Sequence, residues 1–268
     1  MTPPNPQLRV ALGEYDTGWH DAPNSLARAR GLASDAKQAG ADLLLLPEMF
    51  ATGFTMEARN FAEPEDGEIA RTVCEIAAHE KLWILAGISV RKDDGRFVNT
   101  ARLFSPAGDE ISSYEKQRLF VYANENEIYS PGEEPSVAEI NGVKCGIFIC
   151  FDLRFPELFR AIGPDVDAFL LIANWPQSRQ NHWDVLTRAR AIENQCYVIA
   201  VNRIGEGGGL EYGGGSVAYD PLGERCDESA PNSSLRIAQI SSAAVEHARK
   251  SFPISAFTQA APTNSRAR

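Results

Sequence analysis

The sequence predicts a single domain of the α/β class. Short apolar runs that read as buried strands alternate with segments whose apolar residues recur at helical spacing. No long linker and no internal repeat separates these elements, and 268 residues suffice for one large core. We divide the chain into an extended lead-in over 1–7, a domain over 8–257 and a C-terminal tail over 258–268, which we expect to be partly disordered.

The first half of the chain begins with two strand–helix pairs. Residues 8–12 form a predicted strand, and residues 25–39 carry apolar side chains at helical spacing. Residues 43–46 are an uninterrupted apolar run, as in a strand buried on both faces, and Pro47 ends it. The next predicted elements are a helix over 69–80, a strand over 82–90, a hairpin formed by 97–104 and 110–114, and a polar, aromatic loop over 117–134.

The second half is organised around a strand that ends at a cysteine. Residues 143–150 read as this strand, and a helix begins near Pro156. The later predicted elements are a strand over 168–173, a helix over 181–194 with a buried stripe of Val185, Leu186, Ala189 and Ile192, a strand over 196–201, a flexible Gly-rich loop over 205–215, a last hairpin that begins at 216–219 and reaches 235–240, and a helix over 242–250. Because α/β sheets place their chemistry at the carboxyl ends of strands, Cys150 is the first candidate for a reactive group.

Composition excludes several classes of function. A net charge of −10 argues against non-specific binding to nucleic acid or to an anionic membrane. No stretch is apolar for long enough to span a membrane, and no signal-peptide pattern is visible. The five cysteines are scattered, without histidines at metal-ligand spacing. We therefore expect a cytoplasmic protein with free thiols, no bound metal, and no nucleic-acid or membrane partner.

Three polar residues at predicted strand ends could carry chemistry together. They are Glu48, Lys116 and Cys150. A carboxylate can take the proton of a thiol, a lysine can lower the thiol pKa and stabilise an oxyanion, and a thiolate can attack an acyl carbon. Each residue taken alone has a plainer explanation: Glu48 as a cap, Lys116 as a surface lysine and Cys150 as a buried filler.

A cysteine–histidine pair is the main alternative for the catalytic machinery. Of the four histidines, His182 begins a helix after a strand end and could reach the cysteine. A packing or helix-terminus role is the simpler interpretation of this residue, so the alternative stays open.

Four segments make the sequence recognisable. They are LLLLPEMFATGF with Glu48, YEKQRLF with Lys116, CFDLRFPE with Cys150, and HWDVLTRARAIENQCYV over 182–198. In this order they resemble the nitrilase, or carbon–nitrogen hydrolase, superfamily, from residue 8 to about residue 257. The resemblance implies a four-layer α-β-β-α sandwich, a Glu48–Lys116–Cys150 catalytic triad, and no cofactor.

The resemblance also implies further site residues. A second glutamate usually precedes the S-P-G turn, which points to Glu125 with Glu127 as the alternative. The backbone N–H of Phe151 would share the oxyanion with Lys116. Candidates for substrate binding are Phe54, Arg118, Phe120, Arg154, Asn174 and Trp175.

Within the superfamily, PEMFATGF, IANWP and the long segment that begins at residue 182 most resemble the ω-amidase branch. This implies hydrolysis of the terminal amide of small carboxylated substrates, such as 2-oxoglutaramate, to acid and ammonia through a thioester. Because such a substrate is anionic, the pocket needs a cation, and the candidates are Arg118 and Arg154. Arg118 is favoured, since Arg154 could instead brace the CFDLRFPE turn. Arg118 replaces the histidine that many relatives carry in K-x-H-L-F.

Two alternatives remain for the function, and the branch also implies an assembly state. The same triad could act on N-carbamoyl amines, deaminated peptide amides or nitriles, or the chain could be a catalytically silent binding module. The resemblance implies a homodimer or a higher homo-oligomer, with the helices on either side of Cys150 and Trp183 in the interface.

Overall fold

The structure, a computed structural model, describes residues 5–230 and 235–254. Its helices are α1 (Ala22–Gln38), α2 (Ala58–Phe61), α3 (Glu68–Glu80), α4 (Glu125–Ile128), α5 (Pro156–Ile162), α6 (Gln180–Asn194) and α7 (Ser242–Ser251). Its strands are β1 (Gln7–Leu12), β2 (Leu43–Leu45), β3 (Glu63–Pro64), β4 (Trp83–Arg91), β5 (Phe97–Phe104), β6 (Glu110–Glu115), β7 (Ser136–Ile140), β8 (Val143–Ile149), β9 (Ala168–Ala173), β10 (Tyr197–Asn202), β11 (Ile204–Gly207), β12 (Leu210–Gly213), β13 (Val217–Tyr219), β14 (Asp227–Ser229) and β15 (Arg236–Ser241). The predicted tail over 258–268 lies outside the described residues. Within the described ranges, no helix combines the length and apolarity needed to cross a bilayer.

Two sheets carry the fold. The first has the strand order β14-β15-β1-β2-β4-β5-β6, with β3 paired to β4, and the second has the order β13-β10-β9-β8-β7. The strands β1, β2 and β4 run parallel, as do β8, β9 and β10, whereas the outer strands are mostly antiparallel. The predicted hairpin corresponds to β5 and β6.

Alternation of side chains along the strands divides the core into layers. Val10 and Leu12 face the second sheet, where they share one apolar cluster with residues such as Ile147. Ala11 and Leu44 point the other way, into the cluster beneath α1 and α3. Helices α5 and α6 pack on the second sheet. The predicted four-layer α-β-β-α sandwich is confirmed.

Only part of the apolar stripe predicted for α6 faces the core: Leu186 packs against it and Ala189 is half-buried. Its members Val185 and Ile192 are 58% and 43% exposed. The buried face instead carries Trp183, Thr187, Arg190, Ala191 and Asn194. These polar side chains can be buried because they are hydrogen-bonded: Arg190 donates to the Leu153 carbonyl at 2.7 Å, and Thr187 donates to the Trp183 carbonyl at 2.7 Å.

The Gly-rich segment is an ordered hairpin and not the flexible loop that its composition predicts. Strands β11 and β12 pair in register from Ile204 opposite Gly213 to Gly207 opposite Leu210. Arg203, which is fully buried, donates to the Glu206 carbonyl at 2.8 Å and forms an ion pair with Asp16 at 2.8 Å. The pairing of the two strands and the long-range ion pair with Asp16, neither of which composition encodes, order the segment.

The predicted last hairpin is also wrong, because its two strands belong to different sheets. Strand β13 pairs with β10 at the edge of the second sheet. Strand β15 pairs with β1 and β14 in the first sheet. The chain crosses from one sheet to the other between them, and an alternating apolar pattern carries no information about which strand is the partner.

Candidate active site

Cys150 lies in a strained turn at the carboxyl end of β8. The strand ends at Ile149, and a 3₁₀ turn runs over Cys150–Arg154. Cys150 has φ = 44°, in the left-handed region that a side chain disfavours. Such strain costs on the order of 1–3 kcal/mol and tends to occur at functional sites, where the surroundings hold it.

The carboxylate of Asp152 holds this turn. It accepts hydrogen bonds from the backbone N–H of Ile149 at 3.0 Å, from the backbone N–H of Arg118 at 2.9 Å and from the Tyr114 hydroxyl at 2.8 Å. Tyr114 and Arg118 flank Lys116 in the sequence, so Asp152 ties the cysteine turn to the segment that carries the lysine. Our sequence prediction missed this residue, although it lies inside the motif.

Burial of Asp152 predicts a pH dependence of stability. Burial raises its pKa from 3.8 to about 6, although three donors partly oppose this. The native state therefore binds more protons than the unfolded state between these values, and stability falls as pH rises through them. Relative to Asp152→Asn, wild type should lose up to about 3 kcal/mol of unfolding free energy between pH 4 and pH 7 in urea titrations. A difference that stays constant, or grows with pH, would contradict this assignment.

Glu48 follows β2 and is fully buried against β4. Gly87 of β4 permits this approach, because a Cβ atom there would lie 2.5 Å from the Glu48 Cα. The Glu48 carboxylate accepts hydrogen bonds from Lys116 Nζ at 2.8 Å, from Asn99 Nδ2 at 2.7 Å and from the Asn174 backbone N–H at 2.9 Å. Glu48, the candidate for the general base, is thus fixed by hydrogen bonds from three separate segments of the chain.

Lys116 lies between two buried glutamates. Its ammonium is 2.8 Å from Glu48 Oε1 and 2.9 Å from Glu125 Oε2, and all three side chains are fully buried. Burial alone lowers the pKa of Lys116, but the charges of Glu125 and Glu48 outweigh it and raise the pKa above its ordinary value. The lysine is therefore a fixed cation at neutral pH.

The structure favours Glu125 over Glu127 as the second glutamate. Glu125 accepts from Lys116 Nζ and, at 2.6 Å, from the backbone N–H of Phe120, whereas Glu127 is exposed. Gly132 in the S-P-G turn lies so close to the Glu115 carbonyl that a Cβ atom would be 2.3 Å away. The turn therefore fits tightly against the strand end that carries Lys116.

The Cys150 thiol is neutral at rest. Burial and the charge of Glu48 raise its pKa well above the ordinary value, and the charge of Lys116 offsets only part of this. The lysine does lower the thiol pKa, as the sequence led us to expect, but burial and the charge of Glu48 outweigh its effect. The proton has to be taken by a base during attack, and Glu48 is the candidate, because its charge acts on the thiol and both residues contact Asn174.

A pocket opens directly above Cys150. The predicted substrate-binding residues Phe54, Phe120, Arg154, Asn174 and Trp175 line it, together with Phe151. Residues that the sequence prediction missed also contribute: Ala123, Pro176, Arg179, and Leu210 and Tyr212 from the β11–β12 hairpin. The hairpin residues were missed because the Gly-rich composition predicted a loop.

Arg118 does not line this pocket, which corrects its placement. Its guanidinium is centred 5.4 Å from the Phe155 ring and lies 4.0 Å from Glu157. Since the backbone N–H of Arg118 is held by Asp152, its side chain leaves the turn toward α5.

Arg154 and Arg179 are the cations of the pocket instead. Arg154 is centred 4.7 Å from the Trp175 ring, and Arg179 is centred 5.1 Å from the Phe120 ring. Burial, and then the positive charge of Arg179, lower the pKa of Arg154. No described carboxylate forms an ion pair with either guanidinium. Two unpaired cations on one pocket wall suit an anionic ligand.

His182 does not support the cysteine–histidine alternative. Its Nδ1 atom lies 3.1 Å from Arg154 Nη2, whereas the Cys150 sulfur contacts the Asn174 carbonyl at 3.8 Å. Among the described residues, no group of three or more histidine, cysteine or acidic side chains has an arrangement that could hold a metal ion.

Comparisons with known proteins agree with this geometry. Residues 9–250 match the family model described as carbon-nitrogen hydrolase. The chain is 34% identical to omega-amidase YafV of Escherichia coli (strain K12), over 92% of this chain and 95% of that protein. It is also 34% identical to 2-oxoglutaramate amidase of Bacillus subtilis (strain 168), over 80% and 83%. The crystal structure of XC1258 from Xanthomonas campestris, which carries an arsenic adduct in its active site, superposes with a TM-score of 0.85 at 34% identity and covers 92% of this chain and 95% of that one.

Proposed function

Since the chain belongs to the carbon–nitrogen hydrolase family and hydrolyses amide C–N bonds, we propose that its substrate is the terminal amide of a small 2-oxo acid, represented by 2-oxoglutaramate. The observation that carries the substrate class is the pair of unpaired guanidiniums, Arg154 and Arg179, in the pocket above Cys150. The names of the two amidases to which the chain is similar support the same choice.

The first half of the reaction forms a thioester. Glu48 takes the proton of the Cys150 thiol while the sulfur attacks the amide carbon. The oxygen of the tetrahedral intermediate is stabilised by the Lys116 ammonium and by the backbone N–H of Phe151. Glu48 then gives its proton to the amide nitrogen, the C–N bond breaks, and ammonia leaves.

The second half releases the acid. Glu48 takes a proton from a water molecule that attacks the thioester carbon, the same two donors stabilise the oxyanion, and the proton returns to the Cys150 sulfur as the C–S bond breaks. Glu125 does not exchange protons in this scheme. Its carboxylate holds the Lys116 ammonium in place through two contacts, at 2.9 and 3.1 Å.

Ammonia release from a small set of compounds tests the proposal. The set is 2-oxoglutaramate, succinamate, an N-carbamoyl amine, a deaminated peptide amide and a nitrile. We expect the highest kcat/KM for 2-oxoglutaramate. A higher value for any of the last three would assign a different substrate, and no release from any compound by folded protein would favour a silent binding module.

The two arginines predict a selective effect on KM. Arg179→Met should raise KM for 2-oxoglutaramate about 10- to 100-fold, because a charge-assisted hydrogen bond to the substrate carboxylate contributes roughly 1.5–3 kcal/mol. KM for a neutral amide such as butyramide should change little. The matched control is Arg118→Met, which removes an arginine outside the pocket and should leave both KM values unchanged. If Arg118→Met raises KM for the anionic amide and Arg179→Met does not, the carboxylate site is assigned wrongly.

We also propose that the protein forms a homodimer through α5 and α6. The exposed apolar residues Val185 and Ile192 of α6 support this, since an outward apolar stripe on a helix suits a buried interface. Sedimentation that shows only monomer at micromolar concentration would refute the proposal.

A further inference from the structure

Asn99 contacts all three charged residues of the buried cluster, which are Glu48, Lys116 and Glu125. It lies in β5 with no exposed surface, and its Nδ2 group donates to Glu48 Oε1 at 2.7 Å and to Glu125 Oε1 at 3.0 Å. Its backbone carbonyl accepts the N–H of Lys116 at 2.9 Å. Apart from Lys116, no other side chain in the described ranges donates to both glutamates.

The orientation of the Asn99 side chain is fixed by its partners. Ionised carboxylates can only accept hydrogen bonds, so the NH₂ group has to face the two glutamates. The Oδ1 atom is consequently buried without a hydrogen-bond partner among the described residues. A buried acceptor without a partner is costly, which is difficult to explain by packing alone. The Oδ1 atom is left without a partner because both N–H bonds of the Asn99 amide have to point at carboxylates.

The hydrogen bonds at Glu48 distinguish its two oxygens. Oε1 accepts from both Asn99 and Lys116. Among the described residues, Oε2 accepts a hydrogen bond only from the Asn174 backbone N–H, at 2.9 Å. Because a carboxylate oxygen can accept two hydrogen bonds, a lone pair remains on Oε2. The Cys150 sulfur lies on the same side of the site, since it is 3.8 Å from the carbonyl of Asn174, the residue whose N–H contacts Oε2.

We infer that Asn99 is a positioning residue for the reaction: together with Lys116 it occupies Glu48 Oε1, and so directs the remaining lone pair of Oε2 to the Cys150 thiol. The thiol proton then passes to Oε2 as the S–C bond forms, and from Oε2 to the leaving nitrogen as the C–N bond breaks. This inference rests on the proposed function for the substrate, but the assignment of the oxygen atoms rests on geometry alone.

Several ionisable groups face Glu48 and have to be considered in any pH measurement. They are Lys116 after β6, Glu125 of α4, Cys150 of the 3₁₀ turn, Tyr129 after α4 and Tyr212 of β12. Of these, the Lys116, Cys150, Tyr129 and Tyr212 groups have raised pKa values, with burial among the causes, so they do not change charge on the acidic side of neutrality.

The test is the pH dependence of Asn99→Leu and of Asn99→Asp. In both variants the carboxylate of Glu48 loses a donor, so protonation becomes easier and the acidic limb of kcat/KM should move upward by one pH unit or more. At the pH optimum, kcat should fall about 10- to 100-fold while KM changes less than two-fold. The shift should be larger for Asn99→Asp, since it adds a negative charge.

Asn194→Asp is the matched control, because Asn194 is also a buried asparagine whose Oδ1 has no partner, but its Nδ2 donates to the Arg190 carbonyl outside the site. The Asn194→Asp variant should lose stability without a shift of the acidic limb of kcat/KM.

The rate at which iodoacetamide alkylates Cys150, followed by peptide mass spectrometry, should show the same dependence on pH without any substrate. If the folded Asn99 variants keep the wild-type acidic limb in both measurements, Asn99 is only structural. If the proposed function is wrong, the wild-type protein will instead release no ammonia from 2-oxoglutaramate.

Discussion

Cys150→Ala should abolish amide hydrolysis and leave the fold intact. Removal of a nucleophile that forms a covalent intermediate costs on the order of 10⁶-fold in kcat, because the remaining groups cannot replace the bond it makes. The substitution deletes one small side chain that is 8% exposed, so the structural cost is limited. Ammonia release at saturating 2-oxoglutaramate, together with thermal unfolding, measures both effects.

Cys145→Ala provides the matched control for this prediction. Cys145 lies on the same strand, β8, and is fully buried, and burial raises the pKa of its thiol. Its Sγ atom contacts the Val143 carbonyl at 3.8 Å and no residue of the site. We expect a moderate loss of stability and kcat within about two-fold of wild type. Substantial hydrolysis by Cys150→Ala, or loss of hydrolysis in well-folded Cys145→Ala, would show that Cys150 is not the nucleophile.

Lys116→Met should reduce kcat by roughly 10²- to 10³-fold, the effect of losing one oxyanion donor in other enzymes. The loss should appear in kcat and in kcat/KM alike, because the ammonium contributes mainly in the transition state. Removal of the cation also leaves Glu48 and Glu125 buried beside each other without a counter-charge. A broken buried ion pair costs about 3–5 kcal/mol, so this variant should also be less stable.

The double variant Lys116→Met/Glu125→Gln separates these two effects. It removes one positive and one negative charge, and so restores the net charge of the buried cluster. We expect thermal stability to recover toward wild type while kcat stays low. Recovery of activity together with stability would show that Lys116 only balances charge and does not hold the oxyanion.

The sequence predicted the parts of the site that belong to local motifs. Glu48 and Cys150 follow buried strands, Lys116 follows the second strand of the hairpin, and the order of their motifs identified the family before any geometry was known. The two-sheet architecture followed from the same source. These features could be predicted because a strand end and its motif are encoded by neighbouring residues.

The residues that the sequence did not reveal depend on contacts over long distances in the chain. Asn99 lies in a strand that also carries Thr100 and Arg102, and only its contacts with Glu48 and Glu125 show its importance. Arg179 lies between IANWP and the segment that begins at residue 182 and belongs to neither motif. It becomes a pocket residue because the 3₁₀ turn over Gln177–Arg179 packs beside Phe120.

The outward face of α6 shows a different limit of sequence reasoning. The apolar pattern correctly predicted a helix, but the polar residues Thr187 and Arg190 occupy the buried face. Periodicity identifies an apolar stripe and not the surface that covers it. An apolar stripe that serves subunit contact and one that serves the core have the same pattern.

The most direct test of the account is the mass of the enzyme stopped in acid during turnover of 2-oxoglutaramate. We predict an adduct equal in mass to the substrate minus ammonia, located on Cys150 by peptide mapping, and no ammonia release from enzyme whose Cys150 has been alkylated beforehand. An adduct on another residue, or ammonia release that continues after alkylation of Cys150, would contradict the proposed thioester mechanism.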